Sequence, residues 1–144
     1  MSKQKRIGTA FETAVSKYLA DAGIPNKRVA LAGAADEGDL LSRDGLLVVE
    51  CKGGHAAENA SHNQIVAWLV EAEKERINSG ARVGILARKT KGKGAASADL
   101  WAVHLDAENA SRLLGVGVPE GIVFTLTLHG FTALYGHKAS GGAA

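Results

Sequence analysis

The sequence is poor in the residues that would hold it together or anchor it by anything other than a packed core. A single cysteine, Cys51, in 144 residues leaves no partner for an intrachain disulfide and no multi-cysteine zinc site, so the expected compartment is a reducing one, the cytoplasm. Aromatic residues make up only 5% of the chain, too few for an array of base-stacking platforms. No apolar run approaches the roughly 18 residues needed to span a bilayer, and the first residues mix Lys3, Lys5 and Arg6 with polar side chains instead of forming a signal-peptide core. Neither membrane insertion nor secretion is expected. Extremes of composition are missing too. With 46% hydrophobic and 22% charged residues, disordered, collagen-like and supercharged classes are excluded. There is no internal repeat and no interdomain linker, so the chain reads as one domain over residues 1–138, followed by a small-residue tail at 139–144.

Acidic residues are absent from one long stretch. Between Glu75 and Asp99 there is none, yet Arg76, Arg82, Arg88, Lys89, Lys91 and Lys93 fall there, and the first eleven residues repeat the pattern with Lys3, Lys5 and Arg6. The net charge of +2 identifies no partner. Segregated positive charge is the footprint expected where phosphates are neutralised, and a solvated loop with a basic N-terminus is the plain alternative.

What is present reads as alternating helices and strands. Phe11, Val15, Tyr18 and Leu19 recur at helical spacing between about Arg6 and Ala22, with Gly23 and Pro25 beyond. Arg28 to Leu31 reads as a short strand. Asp39–Ser42 and Leu46–Lys52 flank Arg43-Asp44-Gly45, and Asp-Gly between apolar runs signals a hairpin. Ser61 then opens a helix whose apolar stripe is Ile65, Val66, Leu69, Val70 and Ile77, closed by Gly80. Further strands are expected over 82–87, 100–105 and 122–128, with a cationic loop at 89–97 and a short helix capped by Asp106. The fold class is α/β.

The hairpin carries the chemistry. If it closes through two residues at Asp44-Gly45, paired positions sum to 89, and Asp39 faces Glu50. Opposed residues share a face, and Lys52, two positions on, shares it with them. Like charges directly opposed destabilise a sheet unless a cation lies between them, and oxygen donors suit magnesium or manganese. The plain alternative is a strand emerging into water, with Lys52 merely pairing Glu50 or Asp39.

Taken in order, Arg6 and Gly8 with Glu12 on the first helix, the loop Ala32-Gly33-Ala34-Ala35, then Asp39, Glu50-Cys51-Lys52 and Gln64 resemble the PD-(D/E)xK nuclease superfamily. Within it the closest likeness is to the archaeal-type Holliday-junction resolvases, over roughly residues 5 to 105. The resemblance implies a restriction-endonuclease-like mixed central sheet flanked by helices. It implies that Asp39 and Glu50 hold a magnesium or manganese ion, that Glu12 assists at the metal, that Lys52 positions or activates water, and that Gln64 lines the site. It implies a homodimer acting on four-way DNA junctions, with a plain restriction or repair nuclease, or a noncatalytic DNA-binding module, as alternatives on the same fold. The family's usual proline before the acid is Gly38 here, so Asp36 and Glu37 compete with Asp39 for its role.

Other readings of these residues stay open. Glu12 borders an apolar stripe and fits an amphipathic helix boundary. Gln64 lies three residues after Ser61, the spacing of a capping box, so capping and active-site roles compete. Cys51 alternates away from Glu50 and Lys52 and reads as a buried small hydrophobe, Trp68 and Trp101 read as packing residues, and no histidine has metal-ligand spacing. The expected phosphate contacts are Lys3, Lys5, Arg6, Arg28, Arg88, Lys89, Lys91 and Lys93.

Overall fold

A computed structural model of the chain describes residues 2–29 and 39–139. The loop at 32–35, the competing acids Asp36 and Glu37, and the tail beyond residue 139 lie outside the described residues. In chain order the elements are α1 (Lys3–Asp21), β1 (Asn26–Val29), β2 (Asp39–Ser42), β3 (Leu47–Lys52), α2 (His55–Glu58), α3 (His62–Ser79) and β4 (Val83–Arg88). A 3₁₀ segment (Ala95–Leu100), β5 (Ala102–Leu105), α4 (Ala107–Leu114), β6 (Phe124–Thr127) and α5 (Leu128–Ala139) follow.

Among the described residues the strands form one open, mixed six-stranded sheet in sequential order β1 to β6. Every neighbouring pair is antiparallel except β3 and β4, which are parallel and joined by the crossover through α2 and α3. The architecture is α/β. No helix among the described residues is long and apolar enough to cross a membrane.

Strand alternation divides the side chains between the two faces. Leu47, Val49 and Cys51 of β3 join Val83, Ile85 and Ala87 of β4 in the cluster that buries Phe11, Val15 and Leu19 of α1. The opposite parity, Val48, Glu50 and Lys52, faces α3. Ladder register extends that second face into rows, Glu50 beside Leu86 beside His104, and Lys52 beside Arg88 beside Ala102. The helix α1 seats close to the end of β3 because Gly53 has no side chain; a Cβ there would lie 2.5 Å from that of Phe11.

Several boundaries differ from the sequence reading for local reasons. Helix α1 starts at Lys3 because the Ser2 hydroxyl accepts the Lys5 amide at 3.1 Å, which adds a first turn. The expected strand over 122–128 stops at Thr127, and Leu128 begins α5, a helix the sequence reading lacked. Gly130 and Gly136 within α5 lower its intrinsic propensity. Packing compensates, since Leu128 and Phe131 are fully buried and each contributes about 2 kcal/mol. The stripe expected on α3 is only partly covered. Leu69 is buried, but Val66, Val70 and Ile77 are exposed.

Candidate active site

The hairpin that brings the acidic positions together closes through four residues, Arg43 to Leu46, where two were expected. The Gly45 amide donates to the Ser42 carbonyl at 2.9 Å, and Gly45 takes the left-handed φ of +76°. Side chains then replace the innermost ladder bonds. Leu46 donates its amide to Asp44 Oδ1 at 3.0 Å, Leu47 donates to Ser42 Oγ at 2.9 Å, and the Ser42 hydroxyl donates to Asp44 Oδ1 at 2.6 Å. These bonds, the serine's first, hold the Asp44 carboxyl below its ordinary pKa. The longer loop has the same midpoint as the expected turn, so the register is unchanged. Asp39 lies opposite Glu50, Leu40 opposite Val49, and Leu41 opposite Val48.

Glu50 is 2% exposed at the end of a strand otherwise lined by aliphatics. Its Oε1 lies 3.2 Å from Lys52 Nζ. The same ammonium lies 3.3 Å from Glu71 Oε2 and 5.6 Å from the centre of the Trp68 ring, both on α3. Burial disfavours the charged lysine, but Glu50 and Glu71 together favour it more strongly, and the Lys52 pKa is raised. Lys52 is therefore an ammonium throughout the neutral range. It can donate hydrogen bonds and stabilise negative charge, and it has no lone pair with which to accept a proton.

Glu71 was absent from the sequence reading, and Trp68, read there as packing, also faces a charge. Gln64, Trp68 and Glu71 follow one another at i, i+4 and i+7, one face of a helix, which was the available signal. What sequence could not supply is that this face comes down on Lys52.

Other expected site residues are arranged differently. Glu12 is buried on α1, where its Oε2 accepts from the Arg28 guanidinium. Arg28 pairs in register with Leu40, and Leu40 with Val49, so Arg28 belongs to the α1 side of the sheet, opposite in parity to Asp39 and Glu50. Glu12 is thus engaged with Arg28, and Arg28, expected at a phosphate, is engaged with Glu12. The Asp39 side chain lies outside the described residues. Gln64 is exposed; its amide nitrogen donates to Ser61 Oγ at 3.1 Å, while its side chain makes no hydrogen bond among the described residues, so only half of a capping box forms. Cys51 projects into the core on the α1 side, as alternation predicts.

The basic stretch also divides. Arg88 donates to the Ala57 carbonyl at 2.9 Å and to His104 Nε2 at 3.1 Å, and Lys89 pairs with Glu58 at 3.1 Å. These two, expected as phosphate contacts, instead tie α2 and β5 to β4. Lys91 is exposed and Lys93 half-buried in the loop beyond, and Lys3, Lys5 and Arg6 are exposed on the first turn of α1.

The donor chemistry at the strand end fits a hard divalent cation, because the two opposed positions, Asp39 and Glu50, both carry carboxylates. Among the described residues no three His, Cys, Asp or Glu side chains form a group that could hold a metal ion. A cation held by Asp39 and Glu50 would keep water at most of its positions, which is the habit of magnesium. No family model, curated protein or solved structure matches this chain.

Proposed function

We propose that this chain is a divalent-metal-dependent endonuclease with a restriction-endonuclease-like fold, acting on branched DNA such as a four-way junction in the cytoplasm. The observation that carries the reading is the register. Asp39 stands opposite Glu50, and Lys52 follows on the same face as a half-buried, doubly paired ammonium. Burying the Glu50 carboxylate at the end of a central strand carries a desolvation cost, and a carboxylate beside a fixed ammonium is an arrangement that a metal-bound phosphodiester would use.

Magnesium or manganese bound by Asp39 and Glu50 would supply positive charge at a nonbridging phosphate oxygen. Lys52 donates hydrogen bonds to the phosphoryl group and holds the attacking water in line. Its charge is already in place when negative charge develops in the transition state. Glu71 borders this position from α3, and Gln64 lies two turns earlier on the same helix face. Lys3, Lys5, Arg6, Lys91 and Lys93 provide sequence-independent contacts to the DNA backbone. A homodimer would present two sites to two opposed strands.

A second reading has one observation in its favour. Glu12, the third carboxylate of the resemblance, is engaged with Arg28, which suits a DNA-binding module that does not cut. Incubating labelled four-way junction, flap and linear duplex with the protein, with and without magnesium, separates the two. The nuclease reading expects magnesium-dependent cutting with the junction preferred. Binding of DNA without cutting in magnesium or manganese would leave the module.

A further inference from the structure

The end of the sheet away from Lys52 holds a cavity that fold and proposed activity leave unused. It measures about 350 Å³, within the range of small-ligand sites, and is lined by Arg82 just before β4, Arg112 on α4, and Tyr135 and Lys138 on α5. Leu46 and Leu113 supply apolar wall, and Asp44 also faces it. Strand β3 runs roughly 17 Å from Leu47 at this end to Lys52 at the other, so the cavity is separate from the candidate active site.

The cations are held by the elements that carry them. The Leu46 carbonyl accepts the amides of Arg82 and Val83, both at 3.0 Å, which ties the Arg82 backbone to the hairpin. Lys138 Nζ lies 3.6 Å from the Cβ position of Gly115, the residue that ends α4. Arg112 is already engaged, by Asn109 at 3.0 Å and Glu108 at 3.2 Å. The Arg82 guanidinium, the Lys138 ammonium and the Tyr135 hydroxyl make no hydrogen bond or ion pair among the described residues. Burial first and Asp44 second raise the Tyr135 pKa against the opposing Arg82 charge, so the phenol keeps its proton and donates.

All three unengaged groups are donors, and a ligand that satisfies them must bring acceptors and negative charge. A phosphomonoester brings three oxygens and a charge of about −1.5 to −2 at neutral pH, which matches Arg82 and Lys138 together. A carboxylate brings two oxygens and one charge. A duplex backbone carries one charge per phosphate and runs across a surface without ending in a cavity. Asp44 selects further. Its Oδ1 accepts from Ser42 and Leu46, so Oδ2 is left as an acceptor for a ligand hydroxyl, and its charge repels a second phosphoryl group.

We propose that this cavity binds a small hydroxyl-bearing phosphomonoester, of sugar-phosphate or nucleoside-monophosphate type, with the phosphoryl group on Arg82, Lys138 and Tyr135 and the body against Leu46 and Leu113. The site does not depend on the nuclease reading, and its test requires no cleavage, so the two can fail separately.

The experiment is calorimetric titration of the full chain with AMP and with a ribose phosphate, beside inorganic phosphate, adenosine and a short duplex without terminal phosphates. At least one of the two monoesters is expected to bind with a Kd in the micromolar to submillimolar range, inorganic phosphate at least about tenfold more weakly, and adenosine not measurably. Arg82→Ala and Lys138→Ala should each weaken the monoester about tenfold and Tyr135→Phe about threefold, whereas Lys74→Ala, which removes an exposed cation on α3, should change nothing. Circular dichroism and Tm check that each variant folds. Duplex affinity should be the same for wild type and Arg82→Ala. Failure of both monoesters to bind at millimolar concentration, binding indifferent to Arg82→Ala and Lys138→Ala, or inorganic phosphate binding as tightly as the monoester would overturn the proposal. A duplex that displaces the monoester and loses affinity in Arg82→Ala would overturn it too, and would assign these cations to DNA phosphates.

Discussion

Lys52 Nζ lies 3.3 Å from Glu71 Oε2, a carboxylate delivered by the crossover helix to the strand that begins that crossover. Glu50 alone would hold the ammonium from one side. Glu71 and the Trp68 ring hold it from α3, so its position is set even when Glu50 turns to another partner. Glu71→Gln should therefore lower kcat by roughly tenfold to a hundredfold with KM little changed, because misplacing a group at the reacting centre is costly only in the transition state. Glu71 is half exposed, so the lost ion pair should cost about 1 kcal/mol of stability at most. Steady-state kinetics beside a thermal melt checks this, and an unchanged kcat removes Glu71 from the site.

Asp39→Asn, Glu50→Gln and Lys52→Met should each reduce cutting by roughly a hundredfold or more while the junction still binds, since each removes a charge used at one phosphate. Chelation of divalent ions should abolish cutting in the wild type, and magnesium should restore it. Lys52→Met should also destabilise the fold, because it removes the ammonium paired with the 2%-exposed Glu50. Full activity in any of the three would break the assignment.

The parts of this arrangement legible in sequence are those set by local rules. Strand alternation and the symmetry of a hairpin about its midpoint are enough to oppose Asp39 and Glu50, even though the turn has four residues and its side-chain bonds were not foreseen. Ser61, Gly80 and Asp106 mark helix ends through capping chemistry that needs no tertiary partner. Glu71 on Lys52, Arg28 on Glu12 and Arg88 on His104 are contacts between elements distant in sequence, and no spacing rule encodes them. Helix α5 was illegible for a related reason. Its two glycines argue against a helix locally, and the burial of Phe131 that outweighs them is visible only once the sheet is assembled.

His104 gives the fold a defined response to acid. It is 3% exposed, Nε2 accepts from Arg88, and Nδ1 lies 2.9 Å from Thr125 Oγ1. Protonating Nε2 would bury a cation and set it against the Arg88 guanidinium, so burial first and Arg88 second push the pKa from 6.5 down to about 4. The unfolded chain takes up this proton at higher pH than the folded one. Stability from His104 is thus complete above about pH 6.5 and lost as pH falls toward 4, by on the order of 3 kcal/mol. Tm of the wild type should fall between pH 7 and 4.5 more steeply than that of His104→Gln. Parallel curves for the two proteins would exclude the histidine as the source.

The cationic loop offers the sharpest test of DNA contact, because its lysines are not equivalent. Lys89 is 23% exposed and paired with Glu58, whereas Lys91 is exposed and Lys93 half-buried, with no ion pair among the described residues. Each phosphate contact releases counterions and adds about 0.9 to the logarithmic slope of affinity against salt on duplex DNA. Neutralising Lys91 and Lys93 together should therefore flatten that slope by about 2, with weaker binding at low salt. Lys89→Ala should leave the slope nearly unchanged and lower Tm slightly, since what it loses is the tie to α2. Turnover at saturating substrate should change little in both proteins, because contacts away from the reacting phosphate hold ground and transition states alike. If Lys89→Ala flattens the slope and the double variant does not, the ion pair with Glu58 opens on DNA and the contact surface lies nearer β4 than the loop tip.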